Sequence, residues 1–181
     1  MGKIRGFEVA KGYEDMGINL PIQSTNTSAG YDFESAEDRV IYPIWGYLFS
    51  NIGTLLHIPK NADKEHQETL SHSFRPTLIK TGIKAYMKED EALFLYNRSS
   101  NPLNLFLLLA NGVGVVDSDY YENEKNDGHI MFQFINFGLF PRHIKKGDKI
   151  GQGIFKTFHK ADEGKARIKD DKRSGGFGST N

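Results

Sequence analysis

The side chain in this sequence best suited to activating a water molecule is that of Asp117, which follows Val115 and Val116. An aspartate at the end of a buried strand has a rigid backbone and a partly desolvated carboxylate, as a general base for phosphoanhydride hydrolysis requires. A turn capped by Asp117 and Asp119 explains the same local sequence. Other parts of the chain must therefore decide between a catalytic and a structural aspartate.

Two segments that precede Asp117 carry groups suited to binding a nucleotide. Asn111 has an amide whose donor and acceptor match the O4 and N3–H edge of a uracil ring. Arg98-Ser99-Ser100 joins a guanidinium to two hydroxyls and successive backbone amides, a combination that binds anions. Turns use both sequences as well, since Asn111 precedes a glycine and Ser100 precedes Asn-Pro.

The C-terminal segment 173–180 places one aromatic ring among glycines. A ring destined for a core is rarely embedded in such permissive backbone, so we expect Phe177 to fold over something planar. The hydroxyls of Ser179 and Thr180 would then reach phosphate oxygens. A disordered glycine-rich tail is the alternative.

Short apolar and aromatic runs bounded by Gly, Pro, Asn and Asp predict many β-strands. The predicted strands are 39–44, 78–86, 92–96, 105–109, 130–137 and 149–155. Helical periodicity is weak, so the sequence predicts an all-β, jelly-roll-like β-barrel. The run 105–110 is apolar on both faces, which favours a strand at the centre of the barrel or at a subunit interface.

Length and composition narrow the class of protein. The chain has 181 residues, which suits one domain, and it has 0 cysteines, which suits a reducing compartment and predicts a cytoplasmic location. Lys and Arg number 23, as do Asp and Glu, so we expect no direct nucleic-acid binding. The N-terminus lacks an apolar core and the run 105–110 is too short to span a bilayer, so we expect a soluble protein without a membrane segment. The 6 histidines show no metal-ligand spacing.

Two polar segments, 61–73 and 121–128, interrupt the predicted strands with turn-forming residues and no core residues. We expect both to be surface loops. Residues 161–171 are charged and lack large apolar side chains, and a glycine-rich end follows them. The predicted organisation is a β-barrel domain over residues 1–160 and a flexible C-terminal arm over residues 161–181.

Five short blocks occur in a fixed order along the chain, each combining glycines or small hydroxyl residues with a charge or an aromatic ring. They are Ala29-Gly30-Tyr31-Asp32-Phe33, Arg98-Ser99-Ser100, Gly114-Val115-Val116-Asp117-Ser118-Asp119-Tyr120, Gly147-Asp148-Lys149-Ile150-Gly151-Gln152 and Arg173-Ser174-Gly175-Gly176-Phe177-Gly178-Ser179-Thr180. In this order the blocks resemble the five motifs of the homotrimeric dUTPase family, deoxyuridine 5′-triphosphate nucleotidohydrolases with a β-jelly-roll fold. The resemblance covers Ala29 to Thr180. Within the family, the chain is similar to members from Gram-positive bacteria and their phages.

The resemblance implies that the chain hydrolyses dUTP to dUMP and pyrophosphate by water attack on the α-phosphorus, which limits uracil incorporation into DNA and supplies dUMP. In that reaction Asp117 would activate the water, and Asn111 would recognise uracil beside Gly114. Tyr120 would pack against the deoxyribose and exclude a 2′-hydroxyl. Ser99 would bind the oxygen that bridges the α- and β-phosphates.

The resemblance also implies a Mg²⁺ ion, held mainly by the substrate phosphates. Asp32 and Gln152 would contact this ion only through water, and Arg98 and Ser100 would support the phosphates. The family's homotrimer would build each active site from more than one chain. The C-terminal arm would close over the substrate with Phe177 stacked on uracil. The arm residues implied to contact substrate are Arg173, Gly176, Phe177, Gly178, Ser179 and Thr180.

The chain departs from the family motifs at several positions. Asn97 stands where the family usually has proline, and Ser100-Asn101-Pro102 replaces the commoner Ser-Gly. Tyr121-Glu122-Asn123 replaces the usual Arg-Gly or Gln-Gly after the motif tyrosine, and the 45–75 region is longer than in compact members. The last block is one residue tighter than usual, so either Lys172 or Arg173 would take the arginine role.

Two other functions fit parts of the sequence. A dCTP deaminase-like enzyme of the same fold would need a base-proximal Glu and a Ser-Ser-Ala-Arg segment, whereas here Arg98 precedes the serines. A nucleotide-gated regulatory protein would contact a partner through the inserted loops 61–73 or 121–128. The presence of Asp117, Tyr120 and Phe177 favours the hydrolase.

Overall fold

The computed structural model describes residues 2–45 and 75–162. Within these ranges the chain forms twelve β-strands and three single helical turns. The strands are β1 Gly6–Val9, β2 Ile22–Gln23, β3 Tyr31–Glu34, β4 Arg39–Ile41, β5 Thr77–Lys80, β6 Ile83–Tyr86, β7 Glu91–Asn97, β8 Leu107–Leu109, β9 Gly114–Asp117, β10 Met131–Asn136, β11 Arg142–Ile144 and β12 Lys149–Thr157. The helical turns are Glu14–Met16, Asn101–Leu105 and Ser118–Tyr120. The all-β class predicted from the sequence is confirmed.

Antiparallel pairing joins the strands of the described ranges into four sheets. The largest has the strand order β2-β3-β12-β7-β9, and a three-stranded sheet has the order β5-β10-β8. Strands β1 and β6 form one pair, and β4 and β11 form another. The two larger sheets pack large apolar side chains into one core, with Phe33 and Leu93 from the first and Phe132 and Phe134 from the second almost fully buried.

Two glycines of β12 lie on the core side of the strand, where aromatic rings occupy the space of a side chain. A Cβ atom on Gly151 would stand 2.0 Å from Cε1 of Phe132, and one on Gly153 would stand 2.7 Å from Cε2 of Phe33. Any residue with a side chain at these positions would force the aromatic rings to shift. These glycines therefore serve the core, and β12 presents its other face to the candidate site.

Two predicted strands differ from the observed ones. The run 78–86 divides into β5 and β6 because Gly82 adopts a φ of +69°, a left-handed conformation that breaks the strand. The run 105–109 contributes only β8, because residues 101–105 form a helical turn instead. Leu108 on β8 is 46% exposed, so β8 is not buried on both faces within a single chain.

The loop 121–128 forms turns, as predicted, and adds no residue to the apolar core, but one of its polar residues is buried. Asn123 is buried, and its Nδ2 donates hydrogen bonds to the Tyr120 carbonyl at 2.8 Å and to Asn126 Oδ1 at 2.7 Å. Lys84 on β6 forms ion pairs with Glu122 at 3.2 Å and with Asp127 at 3.0 Å. The loop is therefore fixed to the barrel, whereas the other predicted loop, 61–73, lies outside the described residues.

The described ranges contain no helix with the length and apolar character needed to cross a membrane.

The packing of β12 predicts that Gly151→Ala reduces the free energy of unfolding by about 1–3 kcal/mol, because the new methyl group must displace the buried Phe132 ring. Denaturant unfolding of the variant and the wild type measures this difference. Gly2→Ala is the control, since a Cβ there meets nothing within 4 Å. Equal stability of the Gly151 variant and the wild type would contradict the proposed packing.

Candidate active site

Strand β7 determines where the candidate residues lie, because it pairs with β12 along one edge and with β9 along the other. Asp117 lies opposite Ala92, near the start of β7. Arg98 directly follows Asn97, the last residue of the strand. At about 3.3 Å per residue, this register separates Asp117 from Arg98 by roughly 20 Å. The predicted site residues therefore form two groups within one chain.

The first group, the phosphate-side cluster, consists of Asp32, Arg98, Lys149 and Gln152. Asp32 and Gln152 are direct cross-strand partners on β3 and β12. The Asp32 carboxylate accepts a hydrogen bond from Lys149 Nζ at 2.8 Å and another from Ser24 Oγ at 2.6 Å. Arg98 Nε lies 3.6 Å from the other carboxylate oxygen, a distance at which attraction between the charges acts without a hydrogen bond.

Two opposing effects act on the pKa of Asp32. Burial disfavours the charged carboxylate and acts to raise the pKa, since only 5% of the residue is exposed. The hydrogen bonds from Lys149 and Ser24, together with the charges of Lys149 and Arg98, outweigh burial and lower the pKa below its usual value. Asp32 is therefore ionised at neutral pH and holds the two cations beside Gln152.

The segment Arg98–Ser100 leaves the end of β7 in a tight turn. The backbone N–H of Asn101 donates a hydrogen bond to the Arg98 carbonyl at 3.0 Å. Arg98 Nη1 donates a hydrogen bond to the Lys149 carbonyl at 3.2 Å. Ser99 is exposed. Next to this turn is a cleft of about 240 Å³, lined partly by Arg98, Asn101 and Lys149. The arrangement leaves a hydroxyl and two cationic side chains at one surface, as an anion-binding site requires.

The second group, the nucleoside-side residues, consists of Asn111, Gly114, Asp117 and Tyr120. Asn111 is exposed in the turn before β9, where Gly112 has a φ of +68°. Its Nδ2 lies 3.3 Å from the position of a Cβ on Gly114, so the absence of a side chain there leaves room for the amide. Asp117 ends β9 and is partly exposed.

Tyr120 is more deeply buried than its predicted role suggests. It is 7% exposed and belongs to the hydrophobic core. Its hydroxyl donates to the His129 carbonyl at 3.2 Å and accepts from Asn126 Nδ2 at 2.6 Å. Burial lowers the pKa of His129 to about 4, and its Nε2 accepts a hydrogen bond from the Gly82 amide at 3.0 Å. The neutral His129 and the loop 121–128 thus fix the position of the Tyr120 ring.

Sequence reasoning missed two parts of this site. Lys149 stands inside the fourth block, but its pairing with Asp32 joins residues 117 positions apart and follows only from the register of β3 and β12. Asn97 and Asn101 were noted as departures from the family motif, and the structure pairs them by a hydrogen bond of 2.7 Å.

All arm residues predicted to contact substrate, from Arg173 to Thr180, lie outside the described residues. The same holds for the choice between Lys172 and Arg173.

Asp32 and Gln152, paired across β3 and β12, are the predicted site residues whose side-chain oxygens would face a substrate-bound metal ion through water. No group of three or more His, Cys, Asp or Glu side chains in those ranges is placed to hold an ion. The Asp32 carboxylate is occupied by Lys149 and Ser24. Mg²⁺ keeps several water ligands and commonly binds through substrate phosphates, so it needs no protein cage.

Comparisons with known proteins identify relatives of this chain. The dUTPase family model matches residues 65–181. The deoxyuridine 5′-triphosphate nucleotidohydrolase of Lactococcus lactis is 41% identical, with 98% of each chain covered. The corresponding enzyme of Desulfitobacterium hafniense is 39% identical and covers 92% of this chain and 90% of its own length.

Solved structures agree with the fold. The dUTPase from Streptococcus mutans has a TM-score of 0.67 at 34% identity, covering 87% of this chain and 98% of that chain. The dUTPase from phage phi11 of S. aureus has a TM-score of 0.61 at 16% identity, covering 88% and 94%. These matches confirm the predicted jelly-roll-like β-barrel.

The ion pairs of Asp32 predict a pH-dependent contribution to stability. Because folding lowers this pKa, the contribution is present above the unfolded value near 3.8 and is lost as the pH falls through the lower folded value. Asp32→Asn should therefore destabilise the protein at neutral pH, and the difference from wild type should shrink below about pH 4. Unfolding free energies across pH measure this, with the exposed Asp90→Asn as control. A difference that persists undiminished at low pH would contradict the ion-pair explanation.

Proposed function

Because this chain belongs to the dUTPase family, we propose that it hydrolyses dUTP to dUMP and pyrophosphate. The observation that carries the proposal is the 41% identity to the Lactococcus lactis enzyme over 98% of both chains. The geometry of the site supports it, since a partly exposed aspartate ends β9 and a cationic cluster lies beside the end of β7. The reaction limits uracil incorporation into DNA and supplies dUMP, and with 0 cysteines the enzyme suits the cytoplasm.

Asp117 acts as the general base. Its carboxylate orients a water molecule and accepts its proton as the oxygen attacks the α-phosphorus in line with the leaving group. A new bond forms between the water oxygen and the α-phosphorus, and the bond from that phosphorus to the α,β-bridging oxygen breaks. Pyrophosphate leaves with the bridging oxygen. The end of a strand is a suitable location because the paired backbone restricts the carboxylate's position.

The phosphate-side cluster binds the triphosphate. Ser99 donates to the α,β-bridging oxygen, and Arg98 and Ser100 neutralise and hold the remaining phosphate oxygens. Asp32 keeps Arg98 and Lys149 in position without contacting the nucleotide. When bound, Mg²⁺ supplies positive charge that offsets the charge on the leaving pyrophosphate. Asp32 and its more exposed cross-strand partner Gln152 would contact the ion only through water.

The nucleoside-side residues bind uracil and deoxyribose. Asn111 lies in the turn before β9 and Asp117 ends that strand, so one extended nucleotide contacts Asn111 with its base and Asp117 with its α-phosphate. Tyr120 packs its ring against the deoxyribose, and its hydroxyl, which is bonded within the chain, holds the ring in place. The fixed ring leaves no space for a 2′-hydroxyl.

The C-terminal arm, residues 161–181, covers the bound nucleotide. Phe177 stacks on uracil, and closure excludes all water but the attacking molecule from the reacting phosphates. Backbone and hydroxyl groups of the arm grip the terminal phosphates. The residues assigned to this role are Arg173, Gly176, Gly178, Ser179 and Thr180.

A homotrimer supplies both groups of residues to each site. Since roughly 20 Å separates Asp117 from Arg98 within one chain, the two must come from neighbouring copies to act on one phosphate chain. Strands β8 and β9 each lie at the edge of a sheet, with exposed apolar side chains at Leu108 on β8, at Val115 on β9 and at Val113 directly before β9. Exposed apolar side chains at paired-strand edges are suited to contact between subunits.

The alternatives have less support. The relatives named above are nucleotidohydrolases and not deaminases. A regulatory contact through the loop 121–128 would compete with interactions inside the chain, because Tyr121, Asn123 and Asp127 are already bonded there.

The general-base role predicts that Asp117→Asn lowers kcat for dUTP by about 10²–10⁴-fold while KM changes little, because only activation of the water is lost. Pyrophosphate release from dUTP, dCTP and UTP, with and without Mg²⁺, measures the rate and the specificity together. Asp119→Asn, two residues away and exposed, is the matched control. Undiminished turnover by the Asp117 variant would remove Asp117 from the mechanism, and equal hydrolysis of dCTP would contradict the assigned substrate.

A further inference from the structure

The segment Arg98–Ser100 is bracketed by two asparagines that are bonded to each other. Asn97 ends β7 and Asn101 begins the helical turn that follows. Asn101 Nδ2 donates to Asn97 Oδ1 at 2.7 Å, which closes a ring around the three intervening residues. We call this pair of side chains the amide couple.

The amide couple also connects three strands. Asn101 is 2% exposed, and its Nδ2 makes a second hydrogen bond, to the Ile150 carbonyl on β12 at 2.8 Å. Asn97 Nδ2 donates to the Leu107 carbonyl on β8 at 2.9 Å. Buried amide groups without partners are costly, so these bonds define a single arrangement of the turn.

The backbone beyond the couple is strained, which makes such restraint necessary. Asn101–Leu105 forms a π-helical turn, and Phe106 after it has a φ of +56°, an unusual conformation for a bulky side chain. Gly138 makes room for it, because a Cβ there would stand 3.0 Å from Phe106 Cβ. Strained segments persist only where surrounding contacts hold them.

We propose that Asn97 and Asn101 are positioning residues that fix Arg98, Ser99 and Ser100 for binding the triphosphate. The inference rests on the proposed function. It explains why the two departures from the family motif occur together: Asn97 replaces a proline that would restrict the backbone, and Asn101 supplies the side chain that restricts it instead. Neither asparagine touches the nucleotide.

The test compares Asn97→Ala, Asn101→Ala and the double variant, with Asn104→Ala as the control on the exposed side of the same turn. Wild-type hydrolysis of dUTP is measured first, and its absence would contradict the proposed function itself. Each single variant should lower kcat/KM for dUTP by about 10- to 100-fold, because the phosphate-binding groups are misplaced. The double variant should lose less than the product of the two single losses, since either change breaks the couple and only the bonds to Leu107 and Ile150 are lost separately.

Ligand affinities separate positioning from general loss of structure. The affinity for the non-hydrolysable analogue α,β-imido-dUTP should fall, whereas the affinity for dUMP, which lacks the β- and γ-phosphates, should stay within about twofold of wild type. With wild-type hydrolysis intact, equal weakening of both ligands would contradict the positioning role, as would losses in the two single variants that multiply in the double variant.

Asn101→Asp keeps the volume of the side chain and provides a second test if the alanine variants fail to fold. Its carboxylate would face the acceptor oxygens of Asn97 and Ile150 and can donate a hydrogen bond only when protonated. Its kcat/KM should therefore fall with rising pH through an inflection that the wild type lacks. A pH profile parallel to that of the wild type would contradict the inference.

Discussion

The antiparallel register of β7 between β9 and β12 is the constraint on which the rest of the site depends. It places Asp117 opposite Ala92 and Gln152 opposite Tyr96, and it ends the strand immediately before Arg98. A shift of one residue would turn every side chain of the strand to the opposite face. The core prevents such a shift, because Gly151 is the residue that accommodates the Phe132 ring. Packing inside the barrel thus determines the geometry outside it.

Ion pairs with Asp32 hold the cationic side chains of the site in the positions that the strand register gives them. Asp32 is a buried carboxylate, a group that would be unstable without counter-charges. Lys149 on β12 and Arg98 after β7 supply these counter-charges. The Asp32 carboxylate therefore holds both cationic side chains at the end of β7, near Gln152. The amide couple restrains the backbone of the same segment. The ion pairs of Asp32 and the hydrogen bonds of the amide couple therefore restrain the same segment, Arg98–Ser100. Both sets of interactions exist before a nucleotide binds.

Much of this organisation is readable from the sequence, and the remainder depends on contacts between distant residues. The short apolar runs predict the all-β class, and the order of the five sequence blocks indicates the dUTPase family. Local patterns did not reveal the break at Gly82 or the turn at 101–105, because both depend on neighbours elsewhere in the fold. The composition of the loop 121–128 predicts a polar surface loop, although Asn123 and Asn126 donate hydrogen bonds to Tyr120. Polar residues that satisfy buried groups have the same composition as exposed turns.

The central claim is that one chain cannot place Asp117 and Arg98 at the same phosphate, so that each active site joins two copies. Mixing two inactive variants, Arg98→Ala and Asp117→Asn, after joint unfolding and refolding tests it most directly. Random assortment at equal amounts should restore about a quarter of the wild-type activity, since that fraction of sites receives an intact residue from each neighbour. No recovery in verified mixed assemblies would mean that both residues act from one chain and would contradict the account.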